Sequence, residues 1–414
     1  MVERIGRVLD GNYMKILMLS STFPYPPSRS GTEVRTFNLL KYLQKDHQVT
    51  VVAQRSPDVT DEDITGLQEQ VSDLKIFPIV ADERKGAIAK GKRLFSSFWE
   101  GKPQNVIHRY CKDIQTLVLE GVDRGKYDAI TCEHSANAVY LRPELKNRVG
   151  MVVNVHSSMY WGTRNAIEMG ASENPWRDRL YLPVLYRYEK QYSQITDKLV
   201  VTTMDDQKQL QIFAPADKIE VIPNGVDLDL FPCRTQDPGG YTLAFVGSMD
   251  LTHNMDAAIF FAKKVFPQLR QRYPEVKYRI IGNRPTPEIK ALANQPGVEV
   301  TGRVSSMVEA LHQTTVCVVS LQTGFGIKNK TLEAMAAGVP VVGSDRGLEG
   351  LDADGVALRA NRVEEYIEAI SQLLENPQLR AELSQNGRTL IEDRFTWEQM
   401  GKKYEAALEN ACPS

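Results

Sequence analysis

Short runs of consecutive apolar residues recur along the chain. They alternate with stretches whose apolar positions return every three or four residues. The early runs are KILMLS (15–20), VTVVA (49–53), KIFPIV (75–80), YDAIT (127–131), MVVNV (151–155) and KLVVTT (198–203). The later ones are TLAFVG (242–247), KYRIIG (277–282), VEVTG (298–302), TVCVVS (315–320) and VPVVG (339–343). Apolar residues on successive positions suit strands covered on both faces of a parallel sheet. Between them, TEVRTFNLLKYLQ (32–44) sets Thr36, Leu39, Leu40 and Leu43 on one helical face, with Arg35, Asn38 and Lys41 on the other. AAIFFAKKVFPQLRQRY (257–273) follows the same period. Strand–helix alternation predicts βαβ units with helices on both sheet faces, an α/β protein.

The alternation breaks once. VIPNGVDLDLFPCRTQDPGG (221–240) holds three prolines and three glycines and reads as a linker, with Asn224-Gly225 favouring positive φ. Two doubly wound domains are therefore expected, 14–226 and 240–395, and the pattern alone lets the last helix (396–410) pack on either. A chain of 414 residues has room for both at roughly 150 residues per domain. In such sheets ligands gather beyond the carboxyl ends of the strands.

Composition narrows the function classes. Apolar residues make up 42% and charged residues 25%, as in soluble globular proteins. Fifty Lys and Arg against 52 Asp and Glu leave a formal charge of −2, which argues against a dedicated nucleic-acid binder. The five cysteines are scattered without a C-x-x-C, as expected of reduced thiols in a cytoplasmic chain. Neither they nor the six histidines have zinc-ligand spacing. No apolar run suggests a membrane span or a signal peptide.

Candidate chemistry concentrates in GFGIKNKTLEAMAAGVPVVGS (324–344). Gly324 and Gly326 permit sharp bends and close approach to a ligand. Asn329 suits an N-cap, and a helix is expected from about Lys330 to Ala337, ended by Gly338 and Pro340. Leu332, Met335 and Ala336 form its apolar face, with Glu333 at the edge. A helix N-terminus favours anions, and Lys328 and Lys330 add charge there. A carboxylate one turn in suits the two hydroxyls of a ribose. A solvated glutamate beside two surface lysines is the plainer alternative.

The wider chain resembles the GT-B-fold retaining glycosyltransferases of family 4, over about residues 15–400. The resemblance rests on PYPPSRSG (24–31), VIPNGVDLDLF (221–231), LAFVGSMDLTHN (243–254), YRIIGNRP (278–285), VEVTGRV (298–304) and KTLEAMAAGVPVV (330–342). It implies two Rossmann-like domains facing a cleft, an acceptor domain followed by a nucleotide-sugar donor domain, and no catalytic metal or other cofactor. It sets Gly31 in the loop against the donor phosphates, with Ser30 where a second glycine is common. It makes His156, at the end of a strand, an active-site histidine near the donor sugar, with His134 a weaker candidate. It makes Glu333 the ribose ligand.

Departures from the family pattern shift the expected charge. The Arg and Lys that usually clamp the diphosphate after the VG strand are replaced here by Ser248 and the segment Thr252-His253-Asn254. The earlier glutamate of the family's pair is absent as well. Lys328 and Lys330 become the local candidates for leaving-group stabilisation, followed by Arg284 and Arg303. Asp227-Leu228-Asp229 fits a metal-binding D-x-D but falls in the linker, so no metal role is expected. Residues 84–99, RKGAIAKGKRLFSSFW, mix basic and aromatic side chains, which suits peripheral contact with the inner face of a membrane or a lipid-linked acceptor, or equally a solvated helix. The expected activity is transfer of a sugar from a nucleoside diphosphate to a hydroxyl acceptor, whether glycan, lipid-linked or small molecule. A non-catalytic nucleotide-sugar-binding partner and another GT-B enzyme, such as an epimerase, are the alternatives.

Overall fold

The computed structural model describes residues 13–27, 31–79, 96–170, 172–324 and 326–413. The chain divides into two compact units, Met1–Ile222 with Met400–Ser414, and Pro223–Gln399.

The first unit is built on strands β1 (Lys15–Ser20), β2 (Gln48–Arg55), β3 (Asp73–Pro78), β4 (Ala129–Glu133), β5 (Gly150–His156), β6 (Lys198–Val201) and β7 (Ile219–Val221). All pair in parallel, in the order β3-β2-β1-β4-β5-β6-β7. The second unit has β8 (Thr242–Val246), β9 (Lys277–Ile281), β10 (Val298–Gly302), β11 (Val316–Val319), β12 (Val341–Gly343) and β13 (Leu358–Arg359), in the parallel order β10-β9-β8-β11-β12-β13. Each sheet reverses direction of growth beside its first strand, at β1/β4 and at β8/β11. At such a reversal the loops leaving the strand ends diverge, which is where doubly wound sheets usually bind a ligand.

The helices used below are α1 (Gly31–Leu43), α2 (Met159–Glu168), α3 (Pro175–Ile195), α4 (Thr252–Phe260), α5 (Asn329–Ala336) and α6 (Trp397–Glu409). The expected apolar face of α1 is buried, with Thr36, Leu39, Leu40 and Leu43 at most 1% exposed. Arg35, expected on the outer side, is also fully buried. Its Nε donates to Asn154 Oδ1 at 3.1 Å, and the charge of Glu133 supports its guanidinium. Glu133 in turn accepts hydrogen bonds from Thr131 (2.9 Å), Asn154 (3.0 Å) and Tyr404 of α6 (2.6 Å). From Met400 onward α6 belongs with the first unit. It is fastened there by these bonds and by Glu405, which meets His47 at 2.7 Å and Tyr42 at 3.0 Å.

The expected helix over 257–273 is interrupted. It runs as α4, a π-helical turn at Phe261–Val265, and a further helix at Phe266–Arg272. Pro267 has no N–H to donate and its ring crowds the carbonyl one turn back, so the ladder slips by one residue there.

Candidate functional site

In the second unit the site grows from glycines at the carboxyl ends of β8 and β9. Gly282 has φ +155°, and a Cβ on it would lie 1.7 Å from the Gly247 carbonyl oxygen. A Cβ on Gly247 would lie 2.7 Å from Asn254 Nδ2 and 2.8 Å from Lys330 Nζ. Only glycine lets these two strand ends close up and still admit side chains from α4 and α5 above them.

Lys330, from the first turn of α5, occupies that space. Its ammonium donates to Asn254 Oδ1 at 2.5 Å and stands 4.4 Å from the centre of the Phe245 ring. Asn254 Nδ2 donates to the Ser248 carbonyl at 2.9 Å, so the amide is held in one orientation. Among the described residues no carboxylate lies within ion-pair distance of Lys330. Burial lowers its pKa to about 7, with the Lys328 cation acting the same way and Glu333 opposing. Glu333 lies one turn further along α5. Burial raises its pKa to about 7, opposed by Lys330. Among the described residues its carboxylate has no hydrogen-bond partner. The site therefore sets a lysine whose pKa burial draws down beside a carboxylate whose pKa burial draws up, each with unused bonding capacity.

Lys328 differs. It occupies the N-cap position of α5, its ammonium bonds the Gly326 carbonyl, and it pairs with Glu349 at 3.3 Å. Glu349 also meets Arg346 at 3.4 Å. Asn329, expected to cap the helix, is instead its first residue, and its Oδ1 accepts from Asn224 Nδ2 at 2.8 Å. The IPNG segment is thus seated on the start of α5. Gly225 is not in a positive-φ conformation as the Asn-Gly pair suggested. It is needed for close approach, because a Cβ there would lie 2.7 Å from the Trp397 nitrogen. Asp227 Oδ1 accepts the amides of Asp229 and Leu230, which makes the D-x-D a turn.

His253 joins the cluster and was not singled out from the sequence. It lies beside Gly324, and burial followed by the Lys330 and Lys328 charges lowers its pKa to about 4. Gly324 and Gly326 have φ of +107° and +75°. Ser248 Oγ donates to Asn283 Oδ1 at 2.5 Å and accepts from Arg284 Nη2 at 3.1 Å. Arg284 also pairs with Asp250 at 3.0 Å. Arg303 follows β10, is exposed, and has no ion-pair partner among the described residues. Among the described residues no hydrogen bond or ion pair links it to the cluster. The structure therefore brings together Ser248, Asn254, Arg284, Gly324, Gly326, Lys328, Lys330 and Glu333, and leaves Arg303 apart.

In the first unit His156 ends β5 with φ +62°, and its ring centre is 5.7 Å from that of His134, which has φ +91°. His134 Nδ1 accepts the Ala136 amide at 3.2 Å. Burial depresses both pKa values, that of His134 to about 4, and Arg109 and Arg35 add to the effect. Both rings are neutral near pH 7, and the buried His156 Nε2 has no hydrogen-bond partner. Two non-glycine residues with positive φ at the carboxyl ends of neighbouring strands β4 and β5 mark local backbone strain. Gly31 opens α1. Ser30, and residues 84–95 of the basic stretch, lie outside the described residues.

Comparison with known proteins draws on both units. Residues 29–230 match Glycosyltransferase Family 4, and residues 240–376 match Glycosyl transferases group 1. A GDP-mannose-dependent monoacylated phosphatidylinositol monomannoside mannosyltransferase of Corynebacterium glutamicum is 26% identical over 46% of this chain and 56% of its own. D-inositol 3-phosphate glycosyltransferase of Xylanimonas cellulosilytica is 28% identical over 51% of this chain and 56% of its own. The chain spans about half the length of these curated relatives. Among solved structures, Anabaena HepE in complex with UDP superposes with a TM-score of 0.65 at 14% identity, over 96% of this chain and 100% of that one. Sucrose-phosphate synthase of Thermosynechococcus elongatus gives 0.65 at 17% identity, over 94% and 97%.

Proposed function

The chain belongs to the group 1, family 4 glycosyltransferases of GT-B fold, and from that premise we propose that it moves a sugar from a nucleoside-diphosphate sugar to a hydroxyl acceptor with retention of anomeric configuration. The observation that carries this reading is the Lys330–Asn254–Glu333 arrangement at the β8/β11 crevice. Lys330 supplies positive charge to the donor diphosphate, and Glu333 accepts the ribose hydroxyls. Asn254, at the place where the family usually has a clamping cation, orients a cation delivered from α5 instead. Lys328 is already matched by Glu349 and serves mainly to shape the loop. Neutral His156, whose buried Nε2 has no hydrogen-bond partner, is the first unit's candidate for a hydrogen bond to a ligand. Among the described residues no side chain is assigned as a nucleophile, and the resemblance favours attack on the face the diphosphate leaves, with a phosphate oxygen taking the acceptor proton. No metal or other cofactor is assigned a step.

A UDP complex of HepE makes UDP the first nucleotide to test. A ligand at about a hundred times its dissociation constant adds about 2.7 kcal/mol of apparent stability, so thermal-shift screening of nucleoside diphosphates and their sugars identifies the donor. Glu333→Ala should weaken that shift and lower turnover; unchanged affinity and turnover would refute the ribose role. Nuclear magnetic resonance of the product reports the anomer. A second reading, a non-catalytic nucleotide-sugar-binding protein, is favoured by one fact: Ser248 and Lys328 already have partners within the protein. Donor binding without transfer or hydrolysis across a panel of acceptors would support it.

A further inference from the structure

Helix α3 carries an exposed stripe that the core does not use. Its inner face is buried through Val184, Leu185, Tyr188 and Tyr192. On the other side Trp176, Arg179, Leu180, Pro183, Arg187 and Lys190 fall within about a 100° arc at 100° per residue, and all six are exposed. Trp176 is 77% and Leu180 62% exposed. The stripe contains no carboxylate: Asp178 and Glu189 lie on other faces of the helix. Asp178 is taken by Ser172 and Arg177, and Glu189 by Ser158 and the amides of Met159 and Tyr160. Among the described residues Arg179, Arg187 and Lys190 have no ion-pair partner.

The bonds of Glu189 also place the stripe. Ser158, Met159 and Tyr160 directly follow the carboxyl end of β5. The fourteen residues of α3 before Glu189 (175–188) therefore run on past the strand ends, on the side of His134 and His156. A helical stretch at 96–100 lies alongside, with Arg187 against Gly101 and Tyr181 accepting the Gln104 amide at 2.5 Å. It adds Trp99, 80% exposed, to the same rim.

We propose that this stripe docks the first unit on an anionic lipid bilayer. Tryptophan and leucine would enter the interface, arginine and lysine would meet the headgroups, and the carboxyl-end side of the sheet would face the lipid. Glu100, beside Trp99, lies 3.9 Å from Lys102, and on the α3 stripe interleaved unpaired cations with no carboxylate complement a negative surface. They disfavour a two-fold pairing of the stripe with a second copy, which would set these cations against their equivalents. Among the described residues no helix is long and apolar enough to cross a membrane, and the contact proposed is a peripheral one. It deepens the proposed transfer reaction by pointing to acceptors presented at a membrane, but lipid binding itself does not depend on that reaction.

The test is co-sedimentation of the full chain with vesicles of phosphatidylcholine alone or mixed with phosphatidylglycerol. Binding to the mixed vesicles, weakened by salt and absent from the neutral ones, is expected. At about 1 kcal/mol per basic residue, Arg179→Gln with Arg187→Gln should weaken it about thirty-fold. Trp176→Ala with Leu180→Ala should weaken it at least tenfold, on the order of the apolar burial lost. Nucleotide-induced thermal shifts should be the same in all variants, which shows folded protein and separates a failed lipid contact from a failed donor site. Absence of vesicle binding at low salt, or equal binding by wild type and variants, overturns the proposal. So does a change in oligomeric state as the only effect of the substitutions, which would assign the stripe to a protein interface.

Discussion

Lys330 and Glu333 both titrate near pH 7 in the free protein, and nucleotide binding should pull them in opposite directions. At pH 7 each is about half protonated. A diphosphate beside Lys330 favours its cation, so binding takes up about 0.5 proton there. Ribose hydroxyls donating to Glu333 favour its anion, so binding releases about 0.5 proton there. In wild type the two nearly cancel. Glu333→Gln removes the release, and because the lost carboxylate was holding the Lys330 pKa up, net uptake should exceed about 0.5 proton. Lys330→Gln removes the uptake, and because the lost cation was holding the Glu333 pKa down, release should exceed about 0.5. Isothermal titration calorimetry of UDP in two buffers of different ionisation enthalpy reads these numbers directly. The phosphate's own titration is common to all three chains, so the differences carry the test. His253→Gln, made alongside, removes the other group that an anion would protonate. The pH dependence follows the same sign. Uptake by Glu333→Gln should fade below pH 5, where Lys330 is already charged, and grow above pH 7, where it is neutral when free. Over that upper range affinity should drop by up to tenfold per pH unit. Equal proton counts in wild type and Glu333→Gln would refute the pairing of Lys330 with the diphosphate.

Other perturbations separate roles that lie close together. Lys330→Gln should cost at least about a hundredfold in turnover, as for one lost transition-state donor, whereas Lys328→Gln should act chiefly on stability, by removing one of the two cations that Glu349 meets and leaving it Arg346 alone; transfer assays with thermal melts distinguish them. Gly247→Ala should fold but lose nucleotide affinity, since its methyl displaces Asn254 and Lys330, while Gly282→Ala should lose more than about 3 kcal/mol of stability, because its Cβ meets a backbone oxygen. Tyr404→Phe removes a hydrogen bond to the buried Glu133 and should cost about 1.5–3 kcal/mol in denaturant unfolding, with the first unit melting earlier.

The sheets were legible because a strand buried on both faces must be apolar at successive positions. What escaped was short or marginal. β7 and β13 contribute three and two residues at sheet edges and keep polar side chains, so neither produces a run. YDAIT was read two residues early: Asp128 lies before the pairing and its carboxylate accepts the Lys15 amide at 2.7 Å instead. Periodicity assigned Arg35 to solvent because it weighs only polarity. The compensating Glu133 and Asn154 are about a hundred residues away and appear only when β4 and β5 are assembled beside α1.

The site shows the same limit more sharply. Its parts could be named from the sequence, but Ser248 and Asn254 looked like losses, places where a cation should stand. In the proposed reading, the apparent loss at Asn254 is the counterpart of a gain 76 residues on: its neutral amide accepts the hydrogen bond of the Lys330 ammonium. A lysine at both positions would put two cations over the ends of β8 and β9 with Glu333 alone to offset them, and not at ion-pair distance. A lysine at 330 also requires Gly247 beneath it and leaves no room for a larger residue there. The three positions constrain one another through contact, and each considered singly reads as an unremarkable polar or small residue. Charge at such a crevice is fixed by where side chains arrive in space. A motif counted along the chain records only one of the routes by which they get there.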